Sequence, residues 1–522
     1  MVPFAAPVED ILWSLEHLAG GYELPGWDGE TLEAVVRHFA SFAEDRIAPL
    51  DAPGDARGCA LIDGRVRMPD GFAEVYRAYA DAGWPGLTAP LEHGGQGQGG
   101  LVAGSVSEIF TGACHSLQMV TGLVPGAIRT ILAHGTPGQV AEHVPPLVSG
   151  AHLATMCLTE PGAGSDLARI RCRAVRKGEG WRIEGEKIFI SGGDQDLSDG
   201  ITHLVLARTS DGGLGGLSLF LCPSRRSDGA MNAVTVTRIE EKLGLHASPT
   251  CQMAFDGAEA DLLGAEGGGL SAMFTMMNHA RLDVALQGVA HAARAHAIAR
   301  AYAGQRAQGR RADRTPAMIA EHPDVARMMD EIAACAIGGR GLAHLALVAL
   351  ERGDSPDLVE ALTPLAKVHC SEAGRRAADV AMQVLGGYGY LREYRLEQVW
   401  RDARITAIYE GANGVHARAF ALRLLPGAPG AALEAFVRRQ CPAGTAERFA
   451  AMRAAVAAAE QPEALAHDAC ALAISTLLDA VWRRAGAAAA RHPDPEGIVR
   501  LAQRAAARNE ARARFRAEML GL

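Results

Sequence analysis

WRIEGEKIFIS (residues 181–191), HLVLART (203–209), LSLFLCP (217–223) and AVTVTRI (233–239) are short β-branched or apolar runs separated by clusters of Gly, Asp and Ser. That spacing predicts an antiparallel sheet or small barrel, because branched side chains pack well on a pleated surface and the clusters supply turns. On either side the period changes. Upstream, Trp27–Ala48 has apolar residues near helical spacing and a Glu/Asp/Arg polar face, and the first 150 residues read as helices separated by turns. Within them, PLEHGGQGQGG (90–100) reads as a flexible Gly-rich loop. Downstream, helical patterns run over 270–308, 322–352 and 355–385 with few strong breakers. Helices, then strands, then long helices predict a mainly α chain interrupted by a β domain. The break at Pro426–Pro429 opens an Ala- and Arg-rich helical appendage, where Arg500, Arg504, Arg508 and Arg512 recur every four residues on one solvated face.

A chain of 522 residues exceeds one ordinary core, so two to four structural units are expected. Aromatic residues make up only 5%, which favours helices over sheets overall. A formal charge of −9 gives no electrostatic reason to expect nucleic acid. The ten cysteines are scattered and none forms a C-x-x-C pair, which argues against a metal site or redox dithiol and fits a reducing compartment. No basic region of a signal peptide precedes the first helix, and no apolar run reads as long enough to span a membrane. The expectation is a cytoplasmic protein without membrane insertion.

Three segments carry candidate chemistry. Met156–Asp166 (MCLTEPGAGSD) falls where helix gives way to strand; its small residues expose backbone N–H groups that can cradle a phosphate or seat a planar ring, though Pro-Gly-x-Gly also describes an ordinary turn. Gly185–Gly193 (GEKIFISGG) ends an apolar strand in a hydroxyl and two glycines. There Phe189 can pack on a flat heteroaromatic ring while Ser191 bonds a ring nitrogen, or the segment is simply a buried strand and a turn. Gln383–Tyr390 (QVLGGYGY) is followed by Arg401–Asn413 (RDARITAIYEGAN). Glu410 stands among apolar neighbours, where lost hydration raises a carboxyl pKa toward a value useful to a general base; the alternative is a surface Glu near a helix start.

Taken together, in this order and at this spacing, the three segments resemble the signatures of the acyl-CoA dehydrogenase family, L-T-E-P-x-A-G-S-D, G-x-K-x-x-I-[ST], Q-x-x-G-G-x-G-Y and R-D-x-x-x-x-x-I-Y-E-G. The resemblance covers roughly residues 30 to 425. It is closest to a branch with an extra C-terminal helical region that includes 3-methylmercaptopropionyl-CoA dehydrogenases. It implies an N-terminal helical domain (1–153), a middle β-barrel domain (154–265), a C-terminal four-helix bundle (266–425) and a helical extension (426–522). FAD is implied as cofactor, touched by Met156, Leu158, Thr159, Gly164, Ser165, Phe189, Ile190 and Ser191. Arg306, Gln383, Gly386 and Gly387 of a neighbouring subunit would hold its pyrophosphate and adenosine half. Ser165, Asn278, Arg281, Tyr409 and Gly411 are implied in acyl-CoA binding, and Glu410 as the base that removes the α-proton while hydride leaves Cβ, giving a trans-2-enoyl-CoA.

In some relatives the base precedes the arginine matched by Arg281; here that position is Ala280, leaving Glu410 as the matched candidate. This chain departs from the family pattern at Phe189 and Ser191 (usually Trp and Thr), at Ala412 and Gly414 (often Thr and a polar residue), and at His246, which replaces a frequent Arg and reads as a plain loop histidine. A homo-oligomer, with a dimer favoured, and an electron-transfer flavoprotein as acceptor are also implied. An acyl-CoA oxidase and a non-dehydrogenating flavin-binding member of the superfamily share these motifs.

Overall fold

The computed structural model describes residues 2–178, 180–353 and 355–522, with the side chain of Asn278 outside the described residues. The chain divides into two compact units: Met1–Glu44 with Gly100–Ala113 and Arg281–Leu522, and Asp45–Gly99 with Cys114–Ala280.

The second of these holds the sheet. Its seven strands are β1 (His152–Cys157), β2 (Arg173–Lys177), β3 (Gly180–Ser191), β4 (Gly200–Arg208), β5 (Leu217–Pro223), β6 (Val234–Ile239) and β7 (Thr250–Leu263). The path β1-β4-β2-β3-β7-β5 curls back on itself through β4–β5 pairing, and β6 adds to β7. The strand runs expected from sequence thus form one barrel-like sheet. It is mixed rather than purely antiparallel, because β1 and β4 pair in parallel. Both of β4's faces are buried, which is why HLVLA reads as a continuous apolar run instead of an alternation. The helical reading of the first 150 residues missed one hairpin, Ala60–Ile62 with Arg65–Arg67, each strand only three residues long. Asp194, just past β3, anchors it by accepting from Arg65 Nε (2.8 Å) and Nη2 (2.9 Å) and from Val66 N (2.8 Å).

In the other unit, Pro323–Arg352 and Pro356–Leu385 pack with residues 281–305 of the Gly269–Gln305 helix and with Leu396–Arg404 around a core that includes Ile298, Ile332, Ala381 and Leu396. Small residues let two of these helices touch backbone to backbone. A Cβ on Gly288 would stand 2.2 Å from the Cys370 carbonyl oxygen, and one on Gly374 would stand 2.5 Å from that of Gly288. The appendage is four further helices, Ala428–Gln440, Ala443–Ala458, Ala466–Ala487 and Pro495–Met519. On the last of them Arg500, Arg504 and Arg512 are exposed, and Arg504 pairs with Asp330. A buried network ties the appendage to the first helix. Arg340 Nη2 donates to Glu108 Oε1 (2.7 Å), Arg340 Nη1 reaches Asp10 Oδ2 (3.4 Å), and His492 Nε2 meets Asp10 Oδ1 (3.0 Å).

One expectation is corrected. Pro323–Arg352 and Pro462–Ala487 are long and apolar enough to cross a membrane, with mean hydropathies of 1.6 and 1.4. Their most apolar windows are 78% and 67% buried inside the protein, as expected of helices surrounded by other helices. All ten cysteines are free thiols, buried or half-buried.

Candidate active site

Glu410 and Gly411 form a two-residue turn between the Ile405–Ala407 helical turn and the Asn413–Ala419 helix. Both have positive φ, +52° and +93°. For a non-glycine residue such as Glu410 this conformation costs about 1–2 kcal/mol and persists only where neighbours enforce it. The neighbours are visible. The Glu410 carbonyl oxygen lies 2.9 Å from His416 Nε2. Since a carbonyl only accepts, Nε2 carries the proton, and burial lowers the His416 pKa to about 4, so the ring is neutral. The Gly411 carbonyl accepts from Lys367 Nζ at 2.7 Å, and Lys367 also donates to Asn413 Oδ1 at 3.0 Å. A side chain at 411 is excluded, because its Cβ would lie 2.7 Å from His416 Nε2.

Burial pushes the Glu410 carboxyl up to about 7; Arg281 and Lys367 pull it down and Asp283 adds to the rise. The carboxylate is therefore about half ionised at neutral pH, where a general base works best. Burial also lowers Lys367 to about 8, against the attraction of Glu410 and Glu372. Tyr409 bonds the Gln287 side chain, and Gln287 Nε2 donates to Asp283 Oδ2 at 3.0 Å. Arg281, Tyr409, Glu410 and Gly411 thus gather in one place. The Asn278 side chain lies outside the described residues. Lys367, His416, Gln287 and Asp283 were not singled out from sequence. A lysine in an Ala-rich helical pattern carries no mark of burial.

In the sheet unit, Met156 lies on β1, and Leu158–Ser165 leave the end of that strand as a loop closed by two reciprocal backbone bonds, Glu160 N to Ala163 O and Ala163 N to Glu160 O, both 3.0 Å. The Glu160 carboxylate is buried and accepts from Arg171 N (2.7 Å), Cys172 N (3.1 Å) and the fully buried Lys187 ammonium (2.8 Å). Lys187 also donates to Leu158 O at 2.9 Å. The glutamate of the first motif and the lysine of the second are therefore one ion pair that shapes the loop. An irregularity in the β3–β7 register between Lys187 and Ile190 turns Phe189 outward, at φ +60° and 60% exposed, while Ile190 stays buried and Ser191 half-buried. Cβ atoms on Gly162 and Gly164 would meet nothing within 4 Å. An exposed aromatic face near an open, small-residue loop fits a planar ring with a phosphate tail.

Arg306, Gln383, Gly386 and Gly387 line a single pocket of about 460 Å³ together with Tyr302 and Tyr388. The Arg306 guanidinium stands over the Tyr388 ring at 5.5 Å from its centroid. Gly386 has φ +59°, and neither it nor Gly387 has an atom within 4 Å of where a Cβ would sit, so a ligand can approach the backbone. His246 is tied to the Ala48–Arg57 helix and to its own loop, Nδ1 with Asp55 Oδ1 (2.8 Å) and Nε2 with Lys242 O (3.1 Å). Ala412 stands at the helix N-cap without a side-chain cap, and Gly414 has open space beside it. Among the described residues no group of three or more His, Cys, Asp or Glu could hold a metal.

Models of the acyl-CoA dehydrogenase N-terminal, middle and C-terminal domains match residues 29–151, 155–258 and 267–425. A 3-methylmercaptopropionyl-CoA dehydrogenase of Ruegeria pomeroyi is 39% identical over 440 residues, covering 79% of this chain and 75% of the relative. The chain belongs to the acyl-CoA dehydrogenase family. It is accordingly a flavoprotein oxidoreductase with FAD as cofactor and acyl-CoA as the substrate it dehydrogenates. A chain of the solved structure named for the electron transferring flavoprotein of Acidaminococcus fermentans is 27% identical at a TM-score of 0.68, covering 77% of this chain and 100% of that one. The fold of an acyl-CoA dehydrogenase complexed with FAD from Bacillus anthracis, 20% identical, covers 95% of this chain and 88% of that one at a TM-score of 0.78. The helical appendage is therefore part of a shared fold.

Proposed function

We propose that this dehydrogenase converts a short or medium acyl-CoA, 3-methylmercaptopropionyl-CoA among the candidates, to the trans-2-enoyl-CoA, with Glu410 removing the α-proton. The observation that carries the reading is the Glu410 turn. Its backbone is held from both carbonyls, and its carboxyl is tuned by burial to about 7. The α-C–H of a thioester is a weak acid, so a base near neutrality, positioned and partly desolvated, is what the step requires. A backbone N–H at Glu410 would stabilise the developing enolate oxygen, because a fixed dipole needs no reorganisation as charge builds. Arg281 would sit beside the thioester. FAD, when bound, supplies the hydride acceptor. Met156, Leu158, Thr159, Gly164, Ser165, Phe189, Ile190 and Ser191 would hold one end of it. The pocket of Arg306, Gln383, Gly386 and Gly387 would hold the other end for a partner copy, which favours a homodimer. An electron-transfer flavoprotein is the proposed acceptor, in line with the flavoprotein for which the A. fermentans structure is named.

Anaerobic titration of the yellow protein with a panel of acyl-CoAs tests substrate and reaction together, since only a dehydrogenated ester bleaches the flavin. Glu410→Gln is expected to keep FAD and bind substrate while losing about 10²–10⁴-fold in turnover. Near-normal turnover removes Glu410 from the mechanism.

A further inference from the structure

Lys367 is 0% exposed, and a buried lysine is rare unless it is paired. Its hydrogen-bond partners are two neutral oxygens, those of Gly411 and the Asn413 side chain, and none of the ion pairs among the described residues is its own. A core would be more stable with Leu or Met at this position, since an ammonium held only by neutral oxygens is poorly compensated for its lost hydration. The charge therefore needs another explanation. What lies above it is the left-handed Glu410–Gly411 turn, whose first carbonyl is taken by His416.

We propose that Lys367 is a positioning residue for the base. Its ammonium holds the Gly411 carbonyl, and with His416 it fixes the turn so that Glu410 presents its carboxylate in one orientation, with a positive charge beneath it at neutral pH. The inference rests on the reading of Glu410 as the base. Ser371 and Asn413 complete the support: Asn413 Nδ2 donates to Ser371 Oγ at 3.1 Å and to Glu372 Oε1 at 3.0 Å, which turns its Oδ1 toward Lys367.

The charges that bear on the pair come from three helices. Arg281 and Asp283 face Glu410 from the Gly269–Gln305 helix, Lys367 and Glu372 come from the Pro356–Leu385 helix, and His416 on the next helix is neutral. Removing the Lys367 charge leaves Arg281, among these groups, as the cation beside Glu410, with Asp283 opposing it. The Glu410 titration should then move upward.

An infrared pH titration of the FAD-loaded protein reads this without turnover. The difference between wild type and Glu410→Gln isolates the Glu410 carboxyl, expected to titrate near 7. In Lys367→Met its midpoint should rise by about one pH unit, and in Lys367→Arg it should return toward wild type. Lys367→Gln keeps a donor for the Gly411 carbonyl without the charge, so it should hold the turn and show the same rise. The kcat of the neutral variants should fall roughly fivefold at pH 7, as the ionised fraction drops from a half to about a tenth, and recover by pH 9. A folded neutral variant whose Glu410 titrates at the wild-type midpoint overturns the role of Lys367. No titrating carboxyl in the Glu410→Gln difference overturns instead the reading of Glu410 as a tuned base.

Discussion

Replacing Glu410 by Gln should make the protein more stable as it makes it inactive, and only above a definite pH. An unfolded glutamate titrates near 4.5, whereas the folded carboxyl of Glu410 titrates near 7. A raised carboxyl pKa means that folding favours the protonated form. Its contribution is complete below 4.5 and is lost as pH rises through 7. Above that the native state holds an ionised carboxylate where it is poorly solvated. The difference of about 2.5 pH units corresponds to about 3 kcal/mol at 1.36 kcal/mol per unit. Gln has the same shape and never ionises. The stability of Glu410→Gln relative to wild type should therefore be small near pH 4.5, climb between pH 5 and 7, and level off above pH 8 at up to about 3 kcal/mol. Unfolding in urea, followed on both FAD-loaded proteins across this range, measures the curve. A difference that does not change with pH, or a wild type more stable at pH 8, would refute the argument, because it would mean that the carboxylate is as well accommodated folded as unfolded.

Lys187→Met should leave the Glu160 carboxylate buried beside two backbone donors with no counter-charge, costing about 3–5 kcal/mol and releasing FAD, read by thermal unfolding and by flavin fluorescence. Phe189→Gly should relieve a left-handed backbone worth about 1–2 kcal/mol and yet weaken FAD binding, so apoprotein stability and flavin affinity should move in opposite directions. Tighter flavin binding in that variant would end the ring-packing role. Gly288→Ala should cost about 1–3 kcal/mol or more in chemical unfolding, because the new methyl meets the Cys370 carbonyl at 2.2 Å and backbone must give way.

Much of the fold is written in local pattern. The helical readings 270–308, 322–352 and 355–385 meet helices at Gly269–Gln305, Pro323–Arg352 and Pro356–Leu385; two of the three begin with a proline, and long periodic runs of this kind declare themselves. The Ala60–Arg67 hairpin was not legible, since three-residue strands are too short for an alternation to register. The candidate site divides in the same way. Loops made of Gly and Ser announce backbone exposed to a ligand, and the pocket of Arg306, Gln383, Gly386 and Gly387 follows from such a loop. The letters of the motifs did not reveal that Glu160 and Lys187 pair with each other, 27 residues apart in sequence. Nor did they reveal that Lys367 lies under a turn 44 residues downstream. Burial and charge pairing across such distances are made by tertiary packing, and a single sequence records them only as ordinary polar residues.

The ten free cysteines have a practical consequence. Burial pushes the thiols of Cys59, Cys157, Cys251, Cys335 and Cys470 up to about 12 and those of Cys172 and Cys441 to about 11, and Cys222 and Cys370 rise as well. At pH 8 a thiol of pKa 11 is thiolate only about once in a thousand molecules, and the thiolate is the form that reacts with maleimides and iodoacetamides. These nine thiols are thus nearly silent to thiol chemistry while the protein is folded, and Cys114 is buried at 1% exposure. A single cysteine introduced on an exposed position, such as Arg512 on the last helix, becomes a unique handle for a dye or spin label, with no native cysteine needing to be removed first.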